Sequence, residues 1–355
     1  MKRGARAPRH NPAPRALRGA LPIPERARTA MSHALPLQQH LPTASPLAYG
    51  CMGLGGHWDD SPWTDAHVDH AQAAVEAALD IGVTLFDHAD IYTRGKAESV
   101  FGELFRRQPS LRDRIVLQSK CGIRFADDQG PGRYDLSGGY IVEAVEASLK
   151  RLGTERLDIL LLHRPDPLMQ PEEIAEAFQR LRAAGKVGHF GVSNMNVGQM
   201  AWLGHALDQP LVVNQLELGL GHLEPLDAGT CFNDRQAAVR PGALAWTGTL
   251  EHCQQHGIQL QAWAALARGR FSGETAQDPA DEAARALVHK LAQQHGVSTE
   301  GILLAWLMKH PARIQPVIGS ANPDRIRACG DALRVQLSRN EWYALYVAAR
   351  GAPLP

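Results

Sequence analysis

The sequence has few cysteines, no net charge and no long apolar run, and each of these absences excludes a class of protein. Its five cysteines are odd in number and widely scattered, which is typical of reduced thiols inside a cell and not of a disulfide framework. The 37 basic side chains balance 37 acidic ones, which argues against nucleic acid or an acidic membrane as a partner. No segment approaches the roughly 18 consecutive apolar residues that span a bilayer. We therefore expect a cytoplasmic globular protein.

The charge balance conceals a basic segment at the N-terminus. Residues 1–30 contain eight basic side chains, a single acidic one (Glu25), many alanines and prolines, and no serine. This composition lacks the apolar residues that a packed core or the centre of a signal peptide requires. We predict that residues 1–37 form a disordered extension and that the folded domain occupies residues 38–355. A transit peptide and a binding arm are the alternative interpretations of the basic segment.

Short apolar runs alternate with amphipathic helical patterns along the rest of the chain. Eight such runs, each followed by a helical pattern, are typical of an α/β protein with a closed (β/α)8 barrel of the TIM type. Extra helices are predicted at 299–309 and 339–349, and long loops after the sixth and seventh strands at 219–241 and 267–280. The predicted strands are 47–54, 84–90, 115–121, 157–163, 187–193, 212–218, 258–265 and 315–320.

An open, doubly wound sheet is the competing α/β architecture. That fold normally carries a G-x-G-x-x-G pattern at its first strand–helix turn. The sequence has glycines in this place, within residues 52–56, but they do not follow that spacing. We therefore predict the closed barrel.

Four polar side chains lie at the predicted carboxyl ends of neighbouring strands. Asp87 and Tyr92 follow the second strand, Lys120 ends the third and His163 ends the fourth. These ends form the active face of a (β/α)8 barrel, so we expect the four side chains to converge. An ammonium group lowers the pKa of a neighbouring phenol, a carboxylate keeps the ammonium charged, and an imidazole can bind a developing oxyanion. Singly each residue has an ordinary structural explanation, but together they predict a site that protonates an alkoxide.

Several motifs, in one order along the chain, resemble those of the aldo-keto reductases, most closely the bacterial YdhF-like oxidoreductases. The main ones are Phe86-Asp87-His88-Ala89-Asp90-Ile91-Tyr92, Ser119-Lys120-Cys121-Gly122, Leu162-His163-Arg164-Pro165-Asp166 and Asn214-Gln215. The resemblance implies a (β/α)8 enzyme that uses NADPH to reduce an aldehyde or ketone, a small-molecule carbonyl substrate. It also implies that Asp87, Tyr92, Lys120 and His163 are the catalytic tetrad, with Tyr92 as the proton donor.

The same resemblance implies which residues hold NADP(H). Ser193, Asn194 and Gln215 would bind the nicotinamide carboxamide, and Trp263 would stack on the nicotinamide ring. Gly319 stands where some members of the family have a lysine, which weakens the expected preference for a 2′-phosphate and leaves NAD(H) as the alternative cofactor. The other implied cofactor contacts are Gly55, Gly56, Leu266, Gly269, Arg270, Ile318, Gly319, Ser320, Asn322 and Arg325.

The substrate pocket is expected to involve Trp58, Trp63, Arg164 and the loop at 219–241. Arg164 follows His163 at a position where many members of the family have an aromatic pocket wall. The substrates of those members therefore do not carry over to this chain.

Two other functions are alternatives to the reductase. A cofactor-sensing regulatory subunit, like the potassium-channel β-subunits, would keep the same tetrad, and a Schiff-base lyase would use Lys120 as its nucleophile. No metal site is predicted: His252, Cys253 and His256 have a helical spacing that could hold zinc, but no further ligand accompanies them. No protein partner is indicated.

Overall fold

Eight parallel strands close into a barrel in the computed structural model, which describes residues 34–128, 130–230, 243–274, 276 and 278–354. The strands follow chain order around the barrel, with a separate two-stranded hairpin, β4 (Ile123–Arg124) and β5 (Arg133–Tyr134), inserted after the third. The predicted TIM-type barrel is thus confirmed. Each barrel strand lies within one of the predicted runs: β1 (Ala48–Gly50), β2 (Leu85–Asp87), β3 (Val116–Cys121), β6 (Leu157–Leu162), β7 (Val187–Ser193), β8 (Val213–Glu217), β9 (Gln259–Trp263) and β10 (Gln315–Ile318).

Helices cover the outside of the barrel, and both predicted extra helices are present as α10 (Thr299–Met308) and α12 (Arg339–Arg350). Helix α5 (Pro171–Ala183) shows why these segments are helical: Pro171 occupies its first turn with Glu172 and Glu173, and the chain leaves it at Gly185 with φ +70°. No helix among the described residues has the length and apolar character to cross a membrane. The helices are α1 (Asp65–Asp80), α2 (Lys96–Arg107), α3 (Leu111–Arg114), α4 (Gly138–Leu152), α5 (Pro171–Ala183), α6 (Val197–Ala206), α7 (Glu224–Asp227), α8 (Thr249–His256), α9 (Glu282–His295), α10 (Thr299–Met308), α11 (Pro323–Cys329) and α12 (Arg339–Arg350).

An apolar cluster fills the amino-terminal end of the barrel interior. It includes Leu85, Val116 and Ile159, one from each of three adjacent strands. Leu37, on a short 3-10 helix (Pro36–Gln39), is fully buried against this cluster and closes that end. Asp87, Lys120 and His163 lie at the opposite, carboxyl ends of their strands.

Residues 35–37 of the predicted extension thus belong to the folded unit, which begins before the predicted boundary at residue 38 because Leu35 and Leu37 are buried. Residues 1–33 lie outside the described residues.

The two predicted long loops follow β8 and β9. The first contains the short helix α7, and its residues 231–241 lie outside the described part of the chain. The second contains the 3-10 turns Ala267–Gly269 and Pro279–Asp281. Both loops extend from the carboxyl ends of their strands, which is the face that carries the active site in barrels of this kind.

Candidate active site

Lys120, the penultimate residue of strand β3, is the hydrogen-bonding centre of the site. Its side chain is only 1% exposed, although it carries an ammonium group. All three of its N–H bonds are used: Nζ donates to Asp87 Oδ2 at 2.7 Å, to the His88 carbonyl oxygen at 3.0 Å and to Tyr92 Oη at 2.8 Å. The structure therefore brings together three members of the predicted tetrad in one hydrogen-bonded chain.

The charges in this chain are set by burial and by pairing. Burial acts to lower the pKa of Lys120, but the Asp87 carboxylate and the Tyr92 hydroxyl outweigh it and raise that pKa above its usual value. Burial raises the pKa of Tyr92, and the opposing effect of Lys120 is smaller. Lys120 thus acts to lower the pKa of Tyr92 as expected, but burial outweighs it, so the pKa of Tyr92 lies above its usual value. At neutral pH the chain consists of an ammonium and a protonated phenol.

His163 completes the group from the end of strand β6. Its ring packs edge-on against the Tyr92 ring, with centroids 6.0 Å apart. Burial, together with the positive charges of Lys120 and Arg164, holds the pKa of His163 well below its usual value. The imidazole is consequently neutral, and its Nδ1 is buried without a hydrogen-bond partner among the described residues.

The group adjoins a cavity of about 630 Å³. Asp87, Tyr92 and His163 line it, and Lys120 lies behind them. The cavity also brings together eleven of the other predicted site residues: Trp58, Arg164, Ser193, Asn194, Gln215, Trp263, Leu266, Gly269, Gly319, Ser320 and Arg325.

The predicted nicotinamide contacts form one hydrogen-bonded group on the cavity wall. Asn194 Nδ2 donates to Ser193 Oγ at 2.8 Å, and Trp263 Nε1 donates to Asn194 Oδ1 at 3.3 Å. Gln215 donates its amide N–H inward, and no donor among the described residues contacts its Oε1. A carboxamide carries both a donor and an acceptor, so these groups fit the nicotinamide end of NADP(H).

The backbone around this wall is in an uncommon conformation. Asn194, Ala264, Ala267 and Arg268 all have positive φ, between 49° and 58°. Such left-handed conformations are unfavourable for residues other than glycine, and they concentrate at functional sites. Three of the four follow strand β9, where they bend the chain along the edge of the cavity.

A second group of predicted cofactor residues lies near the start of helix α11. Arg325 Nε donates to Glu300 Oε1 at 3.3 Å, and its guanidinium is about half exposed. Asn322 caps α11 by accepting the backbone N–H groups of Asp324 and Arg325. The half-exposed Arg325 guanidinium and the Ser320 hydroxyl line the same cavity and fit a phosphate group, because both supply donors for its oxygens.

Some predicted residues do not join the cavity. Gly55 packs against α2, and a Cβ there would lie 2.0 Å from Thr93 Oγ1 and 2.5 Å from the Ala97 nitrogen. Gly56 has φ +77°, a left-handed conformation that favours glycine, and lies beside the His67 ring. Close packing therefore accounts for Gly55, and the backbone conformation accounts for Gly56. Four others have structural partners outside the cavity lining: Trp63 lies beside α2, Arg270 is ion-paired with Asp281, Ile318 is buried in β10, and Asn322 caps α11.

Sequence reasoning missed several residues that contribute to the site. Ile91, Ile123 and Met52 give the cavity its apolar surface, and Arg268 adds a further cation. Gln118 donates to Asp87 Oδ1 at 2.6 Å, so it holds the carboxylate oxygen that Lys120 leaves free. Gln118 could have been found from the two-residue period of a strand, since it precedes Lys120 by two positions and faces the same side.

The His252 and His256 rings lie 4.3 Å apart on helix α8, while Cys253 between them is buried. Among the described residues, no group of three or more histidine, cysteine or acidic side chains is arranged to hold a metal ion.

The chain is similar to known proteins over most of its length. It is 37% identical to the 6-dehydroglucose reductase of Agrobacterium fabrum, over 86% of this chain and 95% of that protein. It is 34% identical to the oxidoreductase YdhF of Escherichia coli, over 84% of this chain and 94% of that protein. Among solved structures, an aldo/keto reductase from Klebsiella pneumoniae in complex with NADP and acetate superposes with a TM-score of 0.66. That structure is 26% identical, and the match covers 87% of this chain and 93% of the other.

The profile of the aldo/keto reductase family matches residues 46–346. This range contains all ten strands and almost all of the helical shell. Together with relatives more than 30% identical across nearly their whole length, it shows that the chain belongs to the aldo/keto reductase family, and it confirms the predicted likeness to YdhF.

Proposed function

We propose that this oxidoreductase reduces an aldehyde or ketone to the alcohol with NADPH, and that Tyr92 is the general acid. The observation that carries the proposal is the contact of 2.8 Å between Tyr92 Oη and the buried Lys120 ammonium beside the cavity. A phenol with a cation on one side and an open cavity on the other is suited to give a proton to an oxyanion.

When bound, NADPH supplies a hydride, and the residues of the cavity wall would hold it. Ser193, Asn194 and Gln215 supply donors and acceptors for the carboxamide, and the Trp263 ring supplies a face for stacking. Arg325 and Ser320 would bind the 2′-phosphate. The NADP complexes of solved relatives support this choice of cofactor.

Tyr92 is protonated at neutral pH because burial raises its pKa. Its hydroxyl proton is therefore ready to pass to the alkoxide oxygen of the product. The phenolate that this transfer leaves is stabilised by the Lys120 ammonium, and Asp87 keeps that ammonium charged. Lys120 acts as a fixed cation in this scheme, which argues against the Schiff-base lyase, because a lyase requires a free amine.

His163 would orient the substrate carbonyl. Its pKa lies well below the usual value, so the ring is neutral and can donate one N–H to the carbonyl oxygen. A neutral donor polarises the carbonyl without placing a second full positive charge beside Lys120.

The cavity suggests which carbonyl compounds to test first. The Arg164 guanidinium lies 5.9 Å from the Trp263 ring centroid, and no ion pair to it is found in the described part of the chain. It is available to bind a carboxylate or hydroxyl groups on the substrate. The name of the Agrobacterium relative adds 6-dehydroglucose, a sugar aldehyde, to the substrates worth testing.

A screen of NADPH consumption over aldehydes, ketones, quinones and sugar aldehydes tests the proposal. We expect turnover with at least one class, at a rate of about 1 s⁻¹ or more. Tight NADPH binding with no turnover above the uncatalysed rate would contradict it and favour the regulatory subunit. The expectation of a cytoplasmic location stays a prediction.

A further inference from the structure

A row of four buried glutamine side chains crosses the barrel beneath the cavity. We call this row the glutamine ladder; its members are Gln118 on β3, Gln215 on β8, Gln261 on β9 and Gln315 on β10. Each is at most 2% exposed. Branched apolar side chains normally fill a TIM-type barrel, and a buried amide is tolerated only when it is hydrogen-bonded. A layer of buried amides inside the barrel therefore points to a role other than filling the core.

The ladder is connected through Gln261. Gln261 Oε1 accepts the amide N–H groups of Gln118 and Gln215, both at 2.9 Å. Gln261 Nε2 donates to Gln118 Oε1 at 3.2 Å and to Gln315 Oε1 at 2.9 Å. Both hydrogens and both lone pairs of this one amide are thus used, so its orientation is fully determined.

Groups that can only accept hydrogen bonds anchor both ends of the ladder. At one end Gln118 Nε2 donates to Asp87 Oδ1 at 2.6 Å, and Asp87 is the carboxylate paired with Lys120. At the other end Gln315 Nε2 donates to the Ser45 carbonyl oxygen at 2.6 Å. A carboxylate and a main-chain carbonyl have no proton to give, so neither terminal amide can be reversed.

These anchors determine how Gln215 faces the cavity. Gln118 and Gln315 both place an Oε1 at Gln261 Nε2, and Gln118 Nε2 also donates to Gln261 Oε1. Reversal of the Gln261 amide would set N–H against N–H and oxygen against oxygen, so Gln261 must present its Oε1 to Gln215. Gln215 therefore donates an N–H to Gln261, and its own Oε1 is left for the cavity that it lines. The direction of this cavity-lining amide is thereby set by groups on the far side of the barrel.

We infer that Gln261 is a positioning residue, which makes Gln215 present an oxygen and so selects a cofactor whose carboxamide donates an N–H. The inference rests on the proposed function, in which Gln215 contacts NADPH. The same row links that contact to the Asp87 carboxylate through Gln261 and Gln118. Hydrogen bonds in series polarise one another in a low-dielectric interior, so the carboxylate strengthens the acceptor at Gln215.

The test compares NADPH with its 3-acetylpyridine analogue, in which a methyl group replaces the amide nitrogen. Dissociation constants are measured by quenching of tryptophan fluorescence, since Trp58 and Trp263 line the cavity. We expect the unmodified protein to bind NADPH about tenfold more tightly than the analogue, because the analogue leaves the Gln215 oxygen unpaired. In Gln261→Met the Gln215 amide is free to turn, and the ratio should fall below about threefold.

Gln259→Met is the matched control. Gln259 lies on the same strand and is equally buried, but it donates to the main-chain oxygens of Leu260 and Arg313 and has no bond to the ladder. This control should keep the tenfold ratio. Gln315→Met, which removes the far anchor, is made in parallel and should reduce the ratio less than Gln261→Met, because two hydrogen bonds to Gln118 still hold Gln261.

The outcomes separate this inference from the proposed function. A ratio that stays unchanged in Gln261→Met, or that falls equally in Gln259→Met, overturns the positioning role of Gln261. A ratio near one in the unmodified protein overturns the acceptor role of Gln215. Failure of the unmodified protein to bind NADPH at all overturns the proposed function itself.

Discussion

At the scale of single residues, the chemistry of the site depends on one buried ammonium group. Lys120 donates to three acceptors, and one of them, the Tyr92 hydroxyl, carries a proton of its own and lines the cavity. The phenol starts protonated because it is buried, and its anion is tolerated because the ammonium is already in place. The unfavourable free energy of desolvating and ordering these groups is part of folding, so the site needs no reorganisation during the reaction.

Tyr92→Phe removes the proton donor and keeps the volume of the ring. We expect the rate of carbonyl reduction to fall by at least the roughly 100-fold that general acid catalysis typically contributes. The affinity for NADPH should stay within about twofold, since the hydroxyl is hydrogen-bonded to Lys120 and not to the cofactor wall. Steady-state kinetics and a fluorescence titration measure the two effects. A variant that reduces carbonyls at the original rate would exclude Tyr92 as the acid.

Arg325→Ala tests the choice between NADPH and NADH. Losing a charged hydrogen bond to the 2′-phosphate should weaken NADPH binding by about ten- to a hundredfold and leave NADH nearly unchanged. Arg327→Ala is the matched control, because Arg327 lies on the same helix and is about half exposed, but it pairs with Asp80 and does not line the cavity. Equal weakening of both cofactors by Arg325→Ala would mean that the residue supports the segment through its bonds to Glu300 and Ser272.

At the scale of elements, the sequence predicted the barrel strands and the long helices, because each of them has a local pattern of apolar residues. The barrel strands are buried parallel strands, which give short apolar runs, and the long helices carry a 3.6-residue period, so both could be located. The hairpin β4–β5 and the short helix α3 span only two to four residues, too few for any period to register. Likewise the convergence of Asp87, Lys120 and His163 followed from the barrel rule, whereas the glutamine ladder depends on bonds between strands far apart in sequence.

The segment after β1 shows why glycine in a motif is ambiguous. The same sequence feature, a glycine-rich turn at a strand end, serves close approach to a ligand in some folds and close approach of two elements in others. Only the packing decides, and here Gly55 lies against the first turn of α2.

Gly55→Ala should destabilise the protein without weakening the site directly. An added Cβ would lie within 2.8 Å of three atoms of the facing segment 93–97, two of them backbone atoms. The turn that contains Gly55 and the start of α2 would therefore have to separate. Overpacking of this kind costs about 1–3 kcal/mol of unfolding free energy. Gly53→Ala is the control, because its Cβ would lie no closer than 3.6 Å to any neighbour. Thermal denaturation measures both; a stable Gly55→Ala variant with lost NADPH affinity would instead favour the predicted cofactor contact.

At the scale of the whole molecule, the barrel divides stability and chemistry between its two ends. The amino-terminal end is apolar and closed by Leu37, whereas the carboxyl end holds the ammonium, the imidazole and the open cavity. The glutamine ladder lies between them and is polar enough to anchor Asp87 yet buried enough to exclude water. Substitutions at the floor are therefore expected to change stability, and those at the cavity to change chemistry.

Because Leu37 closes the amino-terminal end of the barrel, the protein should tolerate a truncation before this residue and lose stability when the truncation removes it. A protein that begins at Met31 should match the full chain in melting temperature and turnover, because residues 1–30 offer few apolar side chains to bury. A protein that begins at Pro42 loses the buried Leu35 and Leu37, and loss of even one buried leucine costs about 2–5 kcal/mol. At roughly 2–4 °C per kcal/mol for a domain of this size, its melting temperature should fall by about 5 °C or more. Calorimetry of the three proteins decides the matter. An equal loss in the Met31 protein would show that the basic segment contributes to the folded barrel, contrary to the predicted extension.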